Sequence, residues 1–475
     1  MKKIVTLITA ISLASAIYSQ SEPTATPDSI SWGDDFRNRI DSIIQKADSD
    51  HYFTGMCVYD LTGDSMLYSH NANKLLRPAS TQKVLTAVAA LSTLGAQHTY
   101  DTKAYYTGNI TAADSTLHGD IYVVGSFDPA YTSADLRTLA YHIKNLGIKR
   151  ITGRIIGDVS MKDTLTMGNG WCWDDVPSQV EPYLSPLTFN RGCASVEFQG
   201  NTPVFSVPTT YMTLHDKTER RGGRLQVTRD WVDNGNTFTV SGAPSRTAVS
   251  RPISVYRPEQ YFVCTLGDML RAEGVQFDHP IGKHYAIGNL PDTIVCQFYV
   301  CTRTVEQILQ LMMKDSDNLH AESMFYHLAH LEAGKGASWK DGATRVGAMM
   351  SRAGVPSSQY VIADGSGVSL YNYVTPSAEV SVLRYAYQNE HIYRHFYPAL
   401  PIAGVDGTLE KRMTKGTAHT NIHAKTGTVS GVSCLAGYCR ASNGNLLAFS
   451  IMNNGLIRTS IGRELQDILC QEMTK

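Results

Sequence analysis

The chain has 475 residues, a length that predicts two or three domains rather than one. Its 43% hydrophobic and 18% charged residues are a globular balance and exclude a disordered chain. Its 42 basic and 43 acidic residues leave a formal charge of −1, and no basic stripe points to nucleic acid as a partner.

At the N-terminus, Lys2 and Lys3 precede an apolar stretch over 4–17, and Ala14-Ser15-Ala16 offers the small residues of a cleavage site. The stretch is shorter than the roughly 20 residues a membrane span needs, so 1–20 is read as a secretory signal peptide. The first cysteine is Cys57, too far downstream for a lipid anchor. Export permits disulfides, but the nine cysteines are an odd number and no pairing is assigned.

Residues 31–48 have helical periodicity, with Trp32, Phe36, Ile40, Ile43 and Ile44 on one side. The segments 53–60 and 65–71 flank a turn and predict a hairpin. A helix is expected from just after Pro78 to Leu94, with Gly95 as its stop. Over 97–290 the texture changes to short alternating segments (119–124, 150–158, 194–198 and 237–242), with helices at 133–146 and 258–273. This predicts an inserted, mainly β region. Helical periodicity returns at 305–313. Consecutive strands then follow from about 424, with a turn at Asn443-Gly444. A closing helix, 458–473, is predicted to turn Ile461, Leu465, Ile468 and Leu469 inward. The expected fold class is α+β: an antiparallel sheet flanked by helices, built from 21–96 and 291–475 and interrupted by the insert.

The chemistry centres on Ser80 at the start of its helix, where free backbone N–H groups favour developing negative charge. Lys83, three residues on, shares its face. A buried lysine loses proton affinity, more so beside a second cation, and can then take the serine proton near neutral pH. In KDSDNLHAE, Ser316 can relay a proton and Asn318 can hold a substrate carbonyl or steady Lys83. Lys425-Thr426-Gly427 opens a strand. Its lysine can anchor a substrate carboxylate and its glycine permits close approach, while the N–H of Thr428 can join that of Ser80 in an oxyanion hole.

S-x-x-K, S-x-N and K-T-G in this order resemble the motif set of β-lactamases and penicillin-binding proteins. The long interval between Lys83 and Ser316 narrows the resemblance to the D-alanyl-D-alanine carboxypeptidase/endopeptidase family, the low-molecular-weight class C penicillin-binding proteins. GWCWDD (170–175), DGSGVSLYN (364–372), LPIAGVDGTL (400–409) and AKTGTVSGVSCLAGY (424–438) also match. The resemblance implies a β-lactamase/transpeptidase-like catalytic fold and a penicillin-sensitive, periplasmic serine peptidase with an acyl-enzyme on Ser80. It also implies endopeptidase action on crosslinks, peptidoglycan stem peptides as substrate and β-lactams as acylating inhibitors. By the same comparison Asp158 matches an acidic position able to pair with a substrate amine, although a turn cap reads equally well. Leu370 and Ser430 stand where the family often has arginine and glutamine. A β-lactamase or esterase on the same scaffold and a non-catalytic peptidoglycan-binding or penicillin-sensing protein are the rival readings.

No cofactor is called for. His327 and His330 lack the company of a zinc site and read as packing or surface residues. Trp171 and Trp173 could line a groove, but a structural role in the insert is the expected one.

Overall fold

A computed structural model describes residues 31–47, 51–176, 178–219, 224–243, 249–293 and 295–475. The segment read as a signal peptide lies outside the described residues.

The catalytic body follows the sequence closely. Helix α1 (Trp32–Ala47) buries Phe36, Ile40 and Ile44, while Trp32 and Ile43 pack at the edge of the same cluster. Strands β1 (Phe53–Asp60) and β2 (Ser65–His70) form the expected hairpin. Helix α2 (Gln82–Thr93) is buried at every position from Gln82 to Leu91, so it is a central helix. It ends where Gly95 takes a φ of +83°, a conformation that costs glycine little.

The inserted region carries its own hydrophobic cluster. Its main sheet includes β3 (Thr99–Tyr106), β4 (Ile121–Val124) and β5 (Ile155–Asp158), with α3 (Ser133–Asn145) and α4 (Pro258–Ala272) as helices. Two later strands, β6 (Tyr285–Ile287) and β7 (Cys296–Thr304), complete the order β6-β5-β4-β3-β7. Strand β7 pairs antiparallel with β3 along its length, from Cys296 opposite Tyr106 to Thr304 opposite Thr99. The sheet of the insert therefore runs past residue 290, and we place the return to the catalytic body at Thr304.

Thr304 caps α5 (Val305–Lys314) in a reciprocal box with Gln307, and Asp317 caps α6 (Asn318–Ala333) by accepting from the His320 N–H at 3.0 Å. Helices α7 (Trp339–Arg352), α8 (Pro376–Gln388) and α9 (Glu390–Ala399) pack around α2 and α6. Three strands, β8 (His423–Val429), β9 (Val432–Arg440) and β10 (Leu446–Asn454), join the hairpin in an antiparallel sheet of order β2-β1-β10-β9-β8.

The closing helix α10 (Thr459–Met473) corrects one expectation. Leu465 and Leu469 face inward, but Ile461 and Ile468 are exposed, and the buried face is completed by Gly462, Gln466, Cys470 and Met473. A Cβ on Gly462 would lie 2.8 Å from Leu456 and Ser433, so α10 approaches the sheet through its smallest residue. Branched side chains were given too much weight there and close backbone approach too little. All nine cysteines are described, and none is paired.

Candidate active site

Ser80 lies in a short 3₁₀ turn, Ala79–Thr81, that leads directly into α2. Lys83, one turn on, is completely buried. Its Nζ donates to Ser80 Oγ at 3.0 Å, to Asn318 Oδ1 at 2.7 Å and to the Ser366 carbonyl at 2.7 Å. Burial pulls the Lys83 ammonium down to about 7, against the upward pull of Asp364, Glu322 and Glu181. At neutral pH a substantial share of Lys83 is thus uncharged and able to accept the serine proton.

Lys425, on β8, is also fully buried and donates to Ser316 Oγ at 2.8 Å and to the Thr426 carbonyl at 2.8 Å. Burial, and then the Lys83 charge, hold it well below the ordinary lysine range. The charge on Lys83 thus works against a proton on Lys425. Ser316 has a φ of +60° in the loop between α5 and α6, a strained backbone that sets its hydroxyl against Lys425. The three motifs, far apart in sequence, therefore meet in one place.

Gly427 lets β8 close on the nucleophile. A Cβ there would lie 2.6 Å from the Pro78 carbonyl and 3.0 Å from the backbone nitrogens of Ser80 and Thr81. Gly427→Val is expected to displace the Ser80 turn and slow acylation by about 10²-fold, the usual penalty for misplacing a reacting group by an ångström. Stopped-flow acylation with a fluorescent penicillin, beside a thermal melt, separates that loss from unfolding.

In front of Ser80 is a cleft of about 560 Å³, lined by Ser316, Thr426 and Thr428 and, farther out, by Lys411, Arg412 and Arg463. Thr426 Oγ1 donates to Thr408 Oγ1 at 2.7 Å, tying β8 to the opposite rim.

Several residues at the site were not singled out in the sequence. Glu322 lies four residues beyond Asn318 on the same face of α6 and accepts from the Gly365 and Ser366 N–H groups at 3.1 and 2.8 Å. Burial, with Asp364 beside it, pushes Glu322 up to about 8, so it carries a proton through much of the neutral range. Asp364 is buried and accepts from Gly367 N, Ser369 N and Asn372 Nδ2, which fixes the loop whose carbonyl holds Lys83. Trp171, read from the sequence as structural to the insert, donates its Nε1–H to Asp364 at 2.9 Å and so braces the site from the insert. The spacing of Asn318 and Glu322 was a usable signal; the contact between Trp171 and Asp364 had none.

Other candidates lie apart from this cluster. Asp158 is buried; one oxygen accepts from Ser160 N at 2.8 Å, the pattern of a turn cap, and the other from the distant Leu290 N at 2.7 Å. The Leu370 backbone N–H donates to the Gly170 carbonyl at 3.4 Å, and Ser430 is exposed where β8 turns into β9. His327 is buried and bonded to the Ser126 carbonyl, and His330 bonds the Gly334 carbonyl at the end of α6.

Comparison with known proteins places this geometry in context. Residues 36–474 match the sequence model of the D-Ala-D-Ala carboxypeptidase 3 (S13) family. The D-alanyl-D-alanine carboxypeptidase DacB of Haemophilus influenzae is 28% identical over 84% of this chain and 85% of its own. The D-alanyl-D-alanine carboxypeptidase of an Actinomadura species is 30% identical over 89% of this chain and 81% of its own. Among solved structures, penicillin-binding protein 4 from Haemophilus influenzae superposes with a TM-score of 0.76 at 26% identity, covering 91% of this chain and 99% of that one. The same protein has also been solved in complex with a β-lactam.

Proposed function

The chain belongs to this D-Ala-D-Ala carboxypeptidase family, and from that premise we propose that Ser80 is its acylated nucleophile and Lys83 the base. The enzyme is a serine-type D-Ala-D-Ala carboxypeptidase. Ser80 Oγ attacks the carbonyl between the two D-alanines as Lys83 Nζ takes its proton. The backbone N–H groups of Ser80 and Thr428 hold the oxyanion. Lys425 and Ser316 hold the substrate carboxylate; Ser316 gives its proton to the departing amine and takes back the one Lys83 received from Ser80, which leaves Lys83 neutral for the next step. Water then releases the acyl group, with Lys83 again as base. The observation that carries the reading is the buried Lys83 Nζ, 3.0 Å from Ser80 Oγ and fixed by Asn318 and the Ser366 carbonyl.

Endopeptidase action on crosslinked stem peptides is part of the proposal. The cleft runs on from Thr428 to Lys411 and Arg463, leaving space for a leaving group larger than D-alanine. A β-lactam, whose strained amide stands in for the scissile bond, would acylate the same serine. Export to the periplasm is proposed from the N-terminal sequence. Among the described residues no helix is long and apolar enough to cross a membrane.

The test is adduct mapping with turnover. Mass spectrometry of the digested, penicillin-treated enzyme should find the penicilloyl group on the peptide carrying Ser80. A pentapeptide stem should release D-alanine, and crosslinked dimers should fall to monomers. An adduct on another residue would overturn the nucleophile, and intact dimers would remove the endopeptidase activity.

A further inference from the structure

Helix α6 carries Asn318, and the inserted region grips it at several places along one side. Arg191 forms an ion pair with Asp317 just before the helix. The Val180 carbonyl and Glu181 Oε1 accept from Asn318 Nδ2 at 3.1 and 3.3 Å. Farther along, Ser323 Oγ donates to the Phe127 carbonyl, and His327 Nε2 bonds the Ser126 carbonyl at 2.6 Å. Each of these partners on the insert side is more than a hundred residues from α6 in sequence.

The contact at Asn318 has a chemical consequence. Its amide has an acceptor end and a donor end, and only one orientation suits both neighbours. Oδ1 must face the Lys83 ammonium, and Nδ2 must face acceptors, which Val180 and Glu181 supply. Turned over, the amide would set donor against donor and acceptor against acceptor. Glu181 is also a carboxylate close enough for its charge and that of Lys83 to act on each other.

We propose that the insert is a clamp on α6 in which Glu181 is a positioning residue, holding the Asn318 amide oxygen on Lys83 and setting the charge that Lys83 senses. This rests on Lys83 being the base for Ser80. It gives the insert a role in the reaction, beyond enlarging the protein.

The groups that face Lys83 are Asp364 from the 364–367 loop, Glu322 from α6, Lys425 from β8 and Glu181 from the insert. Asp175 faces Glu181. The charge of Glu181 favours the protonated lysine, so removing it lets Lys83 release its proton at lower pH. Glu181→Gln keeps an acceptor for Asn318 and should move the acid limb of the acylation profile down by roughly 0.3–1 pH unit, with the plateau rate nearly unchanged. Glu181→Leu also removes one of the two acceptors of Asn318 Nδ2, leaving the Val180 carbonyl alone to orient the amide, and should lower the plateau about tenfold.

The experiment measures acylation by fluorescent penicillin from pH 5 to 9 for both variants, with thermal melts and adduct mapping. A lowered limb in Glu181→Gln, and a plateau lost in Glu181→Leu but kept in Glu181→Gln, supports the proposal. An acid limb in the wild-type place for both variants overturns it, whether or not their melting temperatures fall. An adduct absent from Ser80 in the wild type would instead strike the underlying assignment, so the two failures are distinguishable.

Discussion

Ser80→Ala is expected to take up no covalent penicillin and to release D-alanine at least ~10³-fold more slowly than the wild type, as loss of a covalent nucleophile usually does. The result is informative because the cleft holds two serine–lysine pairs. Ser80 is bonded to Lys83 at 3.0 Å, and Ser316 to Lys425 at 2.8 Å. Both lysines are buried and both are held below the ordinary range. Distance alone does not choose between them; the backbone does. Ser80 stands in the 3₁₀ turn that runs straight into α2, where the helix dipole favours the developing oxyanion. Gly427 is also packed against the nitrogens of Ser80 and Thr81, which brings the neighbouring strand to the same point. Ser316 also precedes a helix, but it has a φ of +60° and does not continue into α6, whose first turn is already capped by the Asp317 carboxylate accepting from the His320 N–H. Covalent labelling that persists in Ser80→Ala and maps to Ser316 would reverse the two roles.

The parts of the site legible in the sequence were those whose chemistry is local. Ser80 and Lys83 are three residues apart on a helix whose apolar period and Gly95 stop are plain. The Lys425 strand and the Asn443-Gly444 turn carry β signals of their own. The parts that were not legible depend on long-range closure. Trp171 reaches Asp364, and Glu181 reaches Asn318, only because the insert folds back on the catalytic body. No periodicity or motif encodes such a meeting. The return of the chain from the insert was missed for a similar reason. Strand β7 pairs with β3, nearly two hundred residues earlier, and its membership in that sheet is a property of the partner rather than of its own residues. The inward face of α10 was misread where Gly462 and Gln466 took places that hydrophobicity awarded to Ile461 and Ile468. Gln466 is buried because its amide bonds Ser433 and Asn453.

Lys83→Met is the companion prediction and separates the base from the scaffold. Acylation is expected to fall at least ~10³-fold, because Ser80 loses the group that takes its proton and methionine offers no base. Stability should change much less. Replacing a buried cationic group by an apolar side chain of similar length removes a desolvation cost of several kcal/mol. Against that gain, Asn318 Oδ1 and the Ser366 carbonyl each lose a donor, at about 1–3 kcal/mol apiece. The two effects are of similar size, so the melting temperature should stay close to that of the wild type while activity disappears. In the wild type, acylation should rise with pH through about 7, since only uncharged Lys83 accepts the proton, and fall about tenfold per unit below it. Stopped-flow acylation from pH 5 to 9 reads this directly. A wild-type profile flat across that range, or a Lys83→Met variant that still acylates with the same pH dependence, would mean that another group takes the serine proton.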